Sequence, residues 1–162
     1  MFTEYKNLPN NARVWIYQAD RTFTTQEIDT ISAKAVDFIE QWTRHGDNLK
    51  GSFIVKYNQF LVIAVDESFN NVSGCSIDAS VRFVQQLESE LQIDLMNKMN
   101  VSFKDGDNIN IVKLSEFQQF AKEKKITKKT IVFNNMVQTK AAVETNWEVP
   151  ASQSWHNRFL VS

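Results

Sequence analysis

The feature that most constrains the fold is an uninterrupted apolar stretch, Phe-Leu-Val-Ile-Ala-Val, at residues 60–65. A strand with one face in water alternates apolar and polar residues, whereas this stretch has no polar position. It therefore predicts a strand that is apolar on both faces and central in its sheet. Residues 52–57 predict a neighbouring strand, because only a tight Asn58-Gln59 turn separates the two.

The clearest helix is predicted to begin after Thr24. Thr24 and Glu27 have the spacing of a capping box, which satisfies the first free amides of a helix. Five apolar residues then recur at intervals of three or four, as on one face of a helix: Ile28, Ile31, Ala35, Phe38 and Trp42. We expect this helix to end near His45-Gly46, a cation followed by glycine.

The remaining patterns complete the element order β-α-β-β-α-β-β-α-β-α. Strands are predicted at residues 12–18, 52–57, 60–66, 101–104, 109–113 and 130–133. Further helical segments are predicted after residue 80 and at residues 95–99, 115–121, 137–145 and 152–159. Hairpins mixed with crossover helices predict an α+β fold. We expect one domain over residues 1–162, with a mixed or mainly antiparallel sheet of about six strands and helices packed on it.

Composition makes several classes of partner unexpected. The net charge is −1, so no nucleic acid partner is expected from overall charge. The longest apolar run is far shorter than the ~20 residues that span a bilayer, so no membrane insertion is expected. A single cysteine forms no intramolecular disulfide, and residues 1–11 are polar, unlike a signal peptide. A cytoplasmic protein is predicted, with a small ligand or another protein as the partner.

The candidate site is the turn at residues 73–80, Ser-Gly-Cys-Ser-Ile-Asp-Ala-Ser, between the central strand and a predicted helix. Groups that bind ligands are often placed where a strand leads into a helix. The turn holds Cys75, and the positive end of a helix favours a thiolate. Cys75 is thus a candidate catalytic nucleophile with His45 or His156 as its base. Asp78 opposes a thiolate, and the alternative is a packed or incidental thiol without a catalytic role.

The same turn is a candidate ligand-binding site. Gly74 lets the backbone approach a ligand, and the hydroxyl groups of Ser73 and Ser76 stand beside free helix amides that attract anions. Asp78 and Arg158 complete the candidate ligand-binding residues. We expect Arg158 and His156 to be exposed on a C-terminal turn. The alternative is ordinary helix capping by Ser73 or Ser76.

Carboxylates give a further candidate, a divalent-metal site built on Asp66 and Asp78. The alternative is that these residues form turns and caps, for which Asp is common. One cysteine and two histidines do not supply the four ligands of a structural zinc site. No resident metal and no cofactor are predicted. Trp42, Trp147 and Trp155 are candidates for an aromatic ligand platform, against the alternative of core packing.

Six segments together resemble a small family of uncharacterised bacterial proteins that often carry the automatic name "ABC transporter ATPase". The segments are spread over nearly the whole chain, from residue 13 to residue 156: RVWIYQ at 13–18, FIEQW at 38–42 with His45-Gly46, SGCSIDAS at 73–80, LMNKMNVSF at 95–103, TIVFNN at 130–135, and NWEVP at 146–150 with SWH at 154–156. The resemblance implies no established activity, so it assigns no catalytic residue.

The residues themselves do not support ATP hydrolysis. A P-loop has the pattern GxxxxGK[ST] between a strand and a helix. Gly46 and Gly51 have its glycine spacing, but Ser52-Phe53 stand where Lys and Ser or Thr belong, and the predicted helix precedes the loop. The LSGGQ signature is absent from the sequence. We therefore expect a non-catalytic binding or interaction module; the alternative is a small enzyme, either thiol-dependent through Cys75 or metal-dependent through Asp66 and Asp78.

Overall fold

Nine strands and four α-helices occur in residues 1–161, the part of the chain that the computed structural model describes. The strands are β1 (Arg13–Gln18), β2 (Thr43–Arg44), β3 (Asp47–Asn48), β4 (Gly51–Lys56), β5 (Phe60–Val65), β6 (Asn100–Asp105), β7 (Asn108–Lys113), β8 (Ile131–Phe133) and β9 (Glu148–Pro150). The helices are α1 (Thr25–Gln41), α2 (Gly74–Leu91), α3 (Leu114–Lys122) and α4 (Lys140–Thr145). Three short 3-10 helices lie at Tyr5–Asn7, Ala151–Gln153 and Trp155–Phe159.

The fold is α+β, as the sequence predicts, but its described residues form nine strands in three sheets instead of about six strands in one sheet. The additional strands β2, β3 and β9 contain only two or three residues each. Such strands are too short for an alternating pattern to be read. Every pairing between strands is antiparallel across the described residues, so the prediction of a mainly antiparallel arrangement is confirmed.

Strand β5 is the centre of the first sheet, whose order is β1-β5-β4. All of its side chains are buried, as its continuous apolar sequence predicts. Successive side chains of a strand point to opposite faces. Leu61, Ile63 and Val65 therefore join one apolar cluster, while Phe60, Val62 and Ala64 join another.

Helices α1 and α2 cover one face of the first sheet. The capping box predicted at Thr24 and Glu27 is present, and Ile31, Ala35 and Ile39 of α1 are fully buried against the sheet. The helix ends at Gln41, earlier than predicted. His45 and Gly46 have φ angles of 50° and 85° and form the turn between β2 and β3, which explains why glycine stands there.

The second sheet has the order β7-β6-β8-β9 and closes the other face of the first. Phe133 of β8 and Trp147 pack against Phe60, in a cluster that also includes Val143 of α4. On the far side of the second sheet, Phe117 of α3 enters a third apolar cluster. The helix predicted at residues 115–121 is confirmed as α3, which begins one residue earlier, at Leu114.

Residues 95–99 do not form the predicted helical turn. They run irregularly from α2 to β6, because the Glu88 carboxylate accepts hydrogen bonds from the Leu95 and Met96 amides at 2.8 and 3.2 Å. The Asp94 carbonyl also accepts a bond from the Asp20 amide at 3.1 Å. This anchored segment becomes one wall of a surface groove. Across residues 1–161, no helix is both long enough and apolar enough to cross a lipid bilayer.

Candidate functional site

The 73–80 turn is the start of helix α2, and its polar groups serve the helix. Ser73 is the N-cap, and its Oγ accepts a bond from the Ser76 amide at 3.1 Å. The Ser76 hydroxyl donates to the Thr43 carbonyl at 2.8 Å, and the Ser80 hydroxyl donates to the Ile77 carbonyl at 2.7 Å. Helix capping by Ser73 is therefore confirmed. Gly74 faces open space, with nothing within 4 Å of the position of a Cβ atom.

The structure separates one of the three proposed catalytic residues from the other two. Cys75 is exposed, so it is not a packed thiol. His45, also exposed, lies in the β2–β3 turn, and the Ser76–Thr43 hydrogen bond brings this hairpin beside Cys75. His156 lies elsewhere, fully buried against Phe117 in the cluster around α3.

The prediction that His156 is exposed is wrong. Its ring stacks on Trp155 at a centroid distance of 3.7 Å, and its Nδ1 lies 2.7 Å from the Ser154 hydroxyl. Burial lowers the pKa of His156 to about 4, so the ring is neutral at physiological pH. Its Nε2 is buried with no hydrogen-bond partner among the described residues.

Other predicted site residues are also dispersed. Arg158 is exposed as predicted, but its guanidinium lies over Phe159, at 5.4 Å from the ring centroid, in the C-terminal 3-10 helix. The Asp66 carboxylate accepts bonds from the amide and hydroxyl of Ser68, which closes the turn after β5. Asp78 is exposed on α2. Within residues 1–161, no group of three or more His, Cys, Asp or Glu side chains is arranged to hold a metal ion.

A separate cluster of ionisable groups joins the β4–β5 turn to the second sheet. The Tyr57 hydroxyl donates to Glu148 Oε2 at 2.6 Å, and the Lys104 ammonium group pairs with Oε1. Burial acts to raise the pKa of Glu148, but the bonds from Lys104 and Tyr57 outweigh it and lower that pKa. The Glu148 bond raises the pKa of Tyr57 in turn. All three groups are therefore held in their ordinary charge states, which fits a structural contact.

A groove with a volume of about 540 Å³ lies beside strand β1. We call it the β1 groove. Strand β1 forms its floor, and the segments at residues 95–100 and 135–138 form its walls, with Trp155 also contributing. A smaller cavity of about 220 Å³ lies between α1 and α2. Neither cavity is lined by a residue of the 73–80 turn.

The floor of the β1 groove is an open strand edge. β1 is the outer strand of its sheet, and the Val14 amide points away from β5, donating to the Gln138 carbonyl at 3.0 Å. Amides alternate in direction along an antiparallel strand, so those of Ile16 and Gln18 also point outward. Neither donates to any group in residues 1–161. Past them, the Asp20 amide is paired with Asp94, so the open stretch is short.

A network of side-chain amides fixes the two sheets beneath this groove. Gln18 Oε1 accepts bonds from the Ser102 hydroxyl and from Asn135 Nδ2, the latter at 3.0 Å. Gln18 Nε2 donates to the Asn100 carbonyl at 3.2 Å. Asn135 Oδ1 in turn accepts the Trp147 Nε1 bond at 2.9 Å. The groove therefore has a rigid base, because each of these bonds joins separate parts of the chain.

Above this base, the walls mix polar side chains with apolar ones, and the apolar ones include two methionines. Met96 and Met136 line the groove, and Met136 is 71% exposed. Met99, also exposed, follows Met96 in the same segment. Methionine side chains are flexible and polarizable, and they are common where a surface adapts to varied apolar groups. Asn100 Nδ2 is buried without a hydrogen-bond partner among the described residues, which leaves a donor at the groove.

The residues that form this groove share a composition that no recognised sequence motif describes. Gln18 ends a strand that is otherwise largely apolar, and the segments LMNKMN and NNMVQ interleave methionine or valine with amides. Neither segment contains an acidic residue. Such composition is unusual for a solvated loop, but only the fold brings the two segments to the same edge of β1.

Comparisons of the chain with models of protein families, with curated proteins and with solved structures found no significant match. The function is therefore inferred from the groove and its surroundings.

Proposed function

We propose that the protein is a non-catalytic binding module whose β1 groove binds an extended segment of a partner polypeptide. The observation that carries this proposal is the open edge of β1 at Ile16–Gln18, which forms the floor of a groove. A bound segment would accept hydrogen bonds from these two amides and extend the first sheet by one strand. The neighbouring pairings limit the added strand to about three or four residues, given ~3.4 Å per residue.

The other features of the groove fit an extended peptide. The methionine and tryptophan side chains of the walls provide apolar contacts for alternate side chains of the segment. Asn100 lines the groove, and its side-chain Nδ2 has no partner among the described residues, so it can donate to a backbone carbonyl of the bound segment. The base of the groove is already ordered by the Gln18 network, so binding orders little of the protein itself.

The 73–80 turn gives no comparable support to an enzyme. The hydroxyl groups of Ser73, Ser76 and Ser80 are engaged within the fold, and His156 is buried away from Cys75. The serines are therefore used for capping and His156 for packing, while the exposed Cys75 and His45 line neither the β1 groove nor the cavity between α1 and α2.

The test compares two variants at the same residue. A displayed library of random linear peptides is selected on the purified protein, and the affinity of a selected peptide is measured by fluorescence anisotropy. Ile16→Pro removes the outward amide, whereas Ile16→Ala shortens the side chain and retains the amide. Proline is tolerated at this position because it removes no β1–β5 hydrogen bond. Circular dichroism checks that both variants fold.

We expect Ile16→Pro to weaken peptide binding about tenfold more than Ile16→Ala, the effect of losing a main-chain hydrogen bond. Hydrogen exchange of the Ile16 and Gln18 amides should also slow when the peptide is bound. Failure to select any peptide, or equal affinities for the two variants, would contradict the proposal.

A further inference from the structure

The charged side chains that line the β1 groove are both positive, and the acidic residues Asp20 and Asp94 lie past the end of the open edge. The charged residues that line it are Arg13 and Lys98, and no acidic residue among the described positions does so. Neither cation forms an ion pair with a described residue. In a protein with a net charge of −1, this leaves a local concentration of unpaired positive charge. Such a surface attracts anionic groups.

Arg13 is positioned to bind a carboxylate. Its guanidinium carbon lies 4.8 Å from the centroid of the Trp15 ring, so the planar group stacks on the indole. Stacking restricts the side chain but leaves the N–H groups at the edge of the guanidinium available. The side chain donates no hydrogen bond to any residue that the structure describes. A fixed guanidinium with free donors is suited to paired hydrogen bonds with a carboxylate.

We propose that the segment bound in the β1 groove is acidic, with a carboxylate that docks on Arg13 while the backbone of the segment pairs with Ile16 and Gln18. This inference rests on the proposed function, since it names the chemistry of the same ligand. The carboxylate is supplied either by an aspartate or glutamate side chain or by the C-terminus of the partner.

Arg13→Gln tests the inference, with Arg82→Gln as a matched control. Arg82 is exposed on α2 and does not line the groove, so its substitution makes the same change in charge elsewhere. Peptides selected from the random library are synthesised with each acidic residue or with the corresponding amide. Each peptide is also made with a free and with an amidated C-terminus, which distinguishes the two sources of the carboxylate.

We expect the selected peptides to be enriched in carboxylates. Arg13→Gln should weaken the binding of an acidic peptide about tenfold or more. It should weaken the binding of the amide analogue less than about twofold, because only the acidic peptide loses a charge-assisted bond. Arg82→Gln should change either affinity less than about twofold. An oligothymidylate competitor should not displace the peptide.

The outcomes separate this inference from the proposed function. Selected peptides that are neutral, and that bind Arg13→Gln as tightly as the unmodified protein, would overturn the acidic specificity and leave peptide binding intact. Displacement by oligothymidylate at comparable concentration would overturn it in favour of a nucleic acid. Selection of no peptide at all would overturn the proposed function itself.

Discussion

At the scale of single residues, His156 has the environment that differs most from the usual surroundings of its type. It is fully buried between Trp155 and Phe117, and its pKa is lowered to about 4 from an ordinary value of 6.5. Between these two values the unfolded chain binds a proton that the folded protein does not. The free energy of unfolding must therefore fall as the pH is lowered through this range.

We predict a loss of about 2 kcal/mol in the free energy of unfolding between pH 7.5 and pH 5 from His156 alone. Urea unfolding at both pH values measures it. His156→Phe should remove this pH dependence, because phenylalanine fills the site without titrating. This pH interval lies above the range in which Glu27, with a pKa of about 2 in the fold, becomes protonated and loses its contribution to the free energy of unfolding. An unchanged pH dependence in His156→Phe would show that another group is responsible.

At the scale of elements, long patterns could be predicted and short ones could not. Strand β5 and helix α1 follow from six consecutive apolar residues and from a capping box with its apolar stripe. The end of α1 was misplaced because Gly46 serves the β2–β3 turn and not a helix stop. Residues 95–99 are predicted to form a helical turn, but the Leu95 and Met96 amides donate hydrogen bonds to the Glu88 carboxylate instead.

The β1 groove shows why the candidate site was harder to predict than the fold. The sequence identifies β1 as a strand, but an open edge depends on which strands lie beside it. That order is set by contacts between residues distant in sequence, such as the Val14–Gln138 bond. By contrast, the 73–80 turn is a local pattern, and its local explanation, helix capping, is the one that the structure confirms.

The second element-scale feature is the Gln18 network, which joins the two sheets. We predict that Gln18→Ala lowers the free energy of unfolding by at least about 2 kcal/mol, because Ser102 and Asn135 lose a buried acceptor. Gln138→Ala is the control. Its side chain is exposed at the same groove, so its loss should cost less than about 0.5 kcal/mol. Equal midpoints in the urea unfolding of Gln18→Ala and Gln138→Ala would show that the network contributes nothing to stability.

At the scale of the whole molecule, the fold can be compared with the P-loop surroundings that the name ATPase would require. The glycine pair that has P-loop spacing lies in a different setting here. Gly46 is in the β2–β3 turn, and Gly51 begins β4, with its amide already bonded to the Met1 carbonyl at 3.0 Å. Ser52 follows inside the sheet and is fully buried. No helix begins at this loop, so its amides do not converge on a phosphate as they do in a P-loop.

We therefore predict that the purified protein shows neither saturable ATP binding at micromolar concentrations nor ATP turnover above a buffer blank. Isothermal titration calorimetry and a phosphate-release assay measure the two quantities, with magnesium present. The informative control is the Gly46→Ala variant, in which an added Cβ meets no neighbour within 4 Å but strains a φ angle of 85°. A binding heat in the unmodified protein that disappears in this variant would place a nucleotide at the β2–β3 turn. Such a result would contradict the prediction, because it requires a phosphate site that lacks the lysine and the helix N-terminus on which P-loops depend.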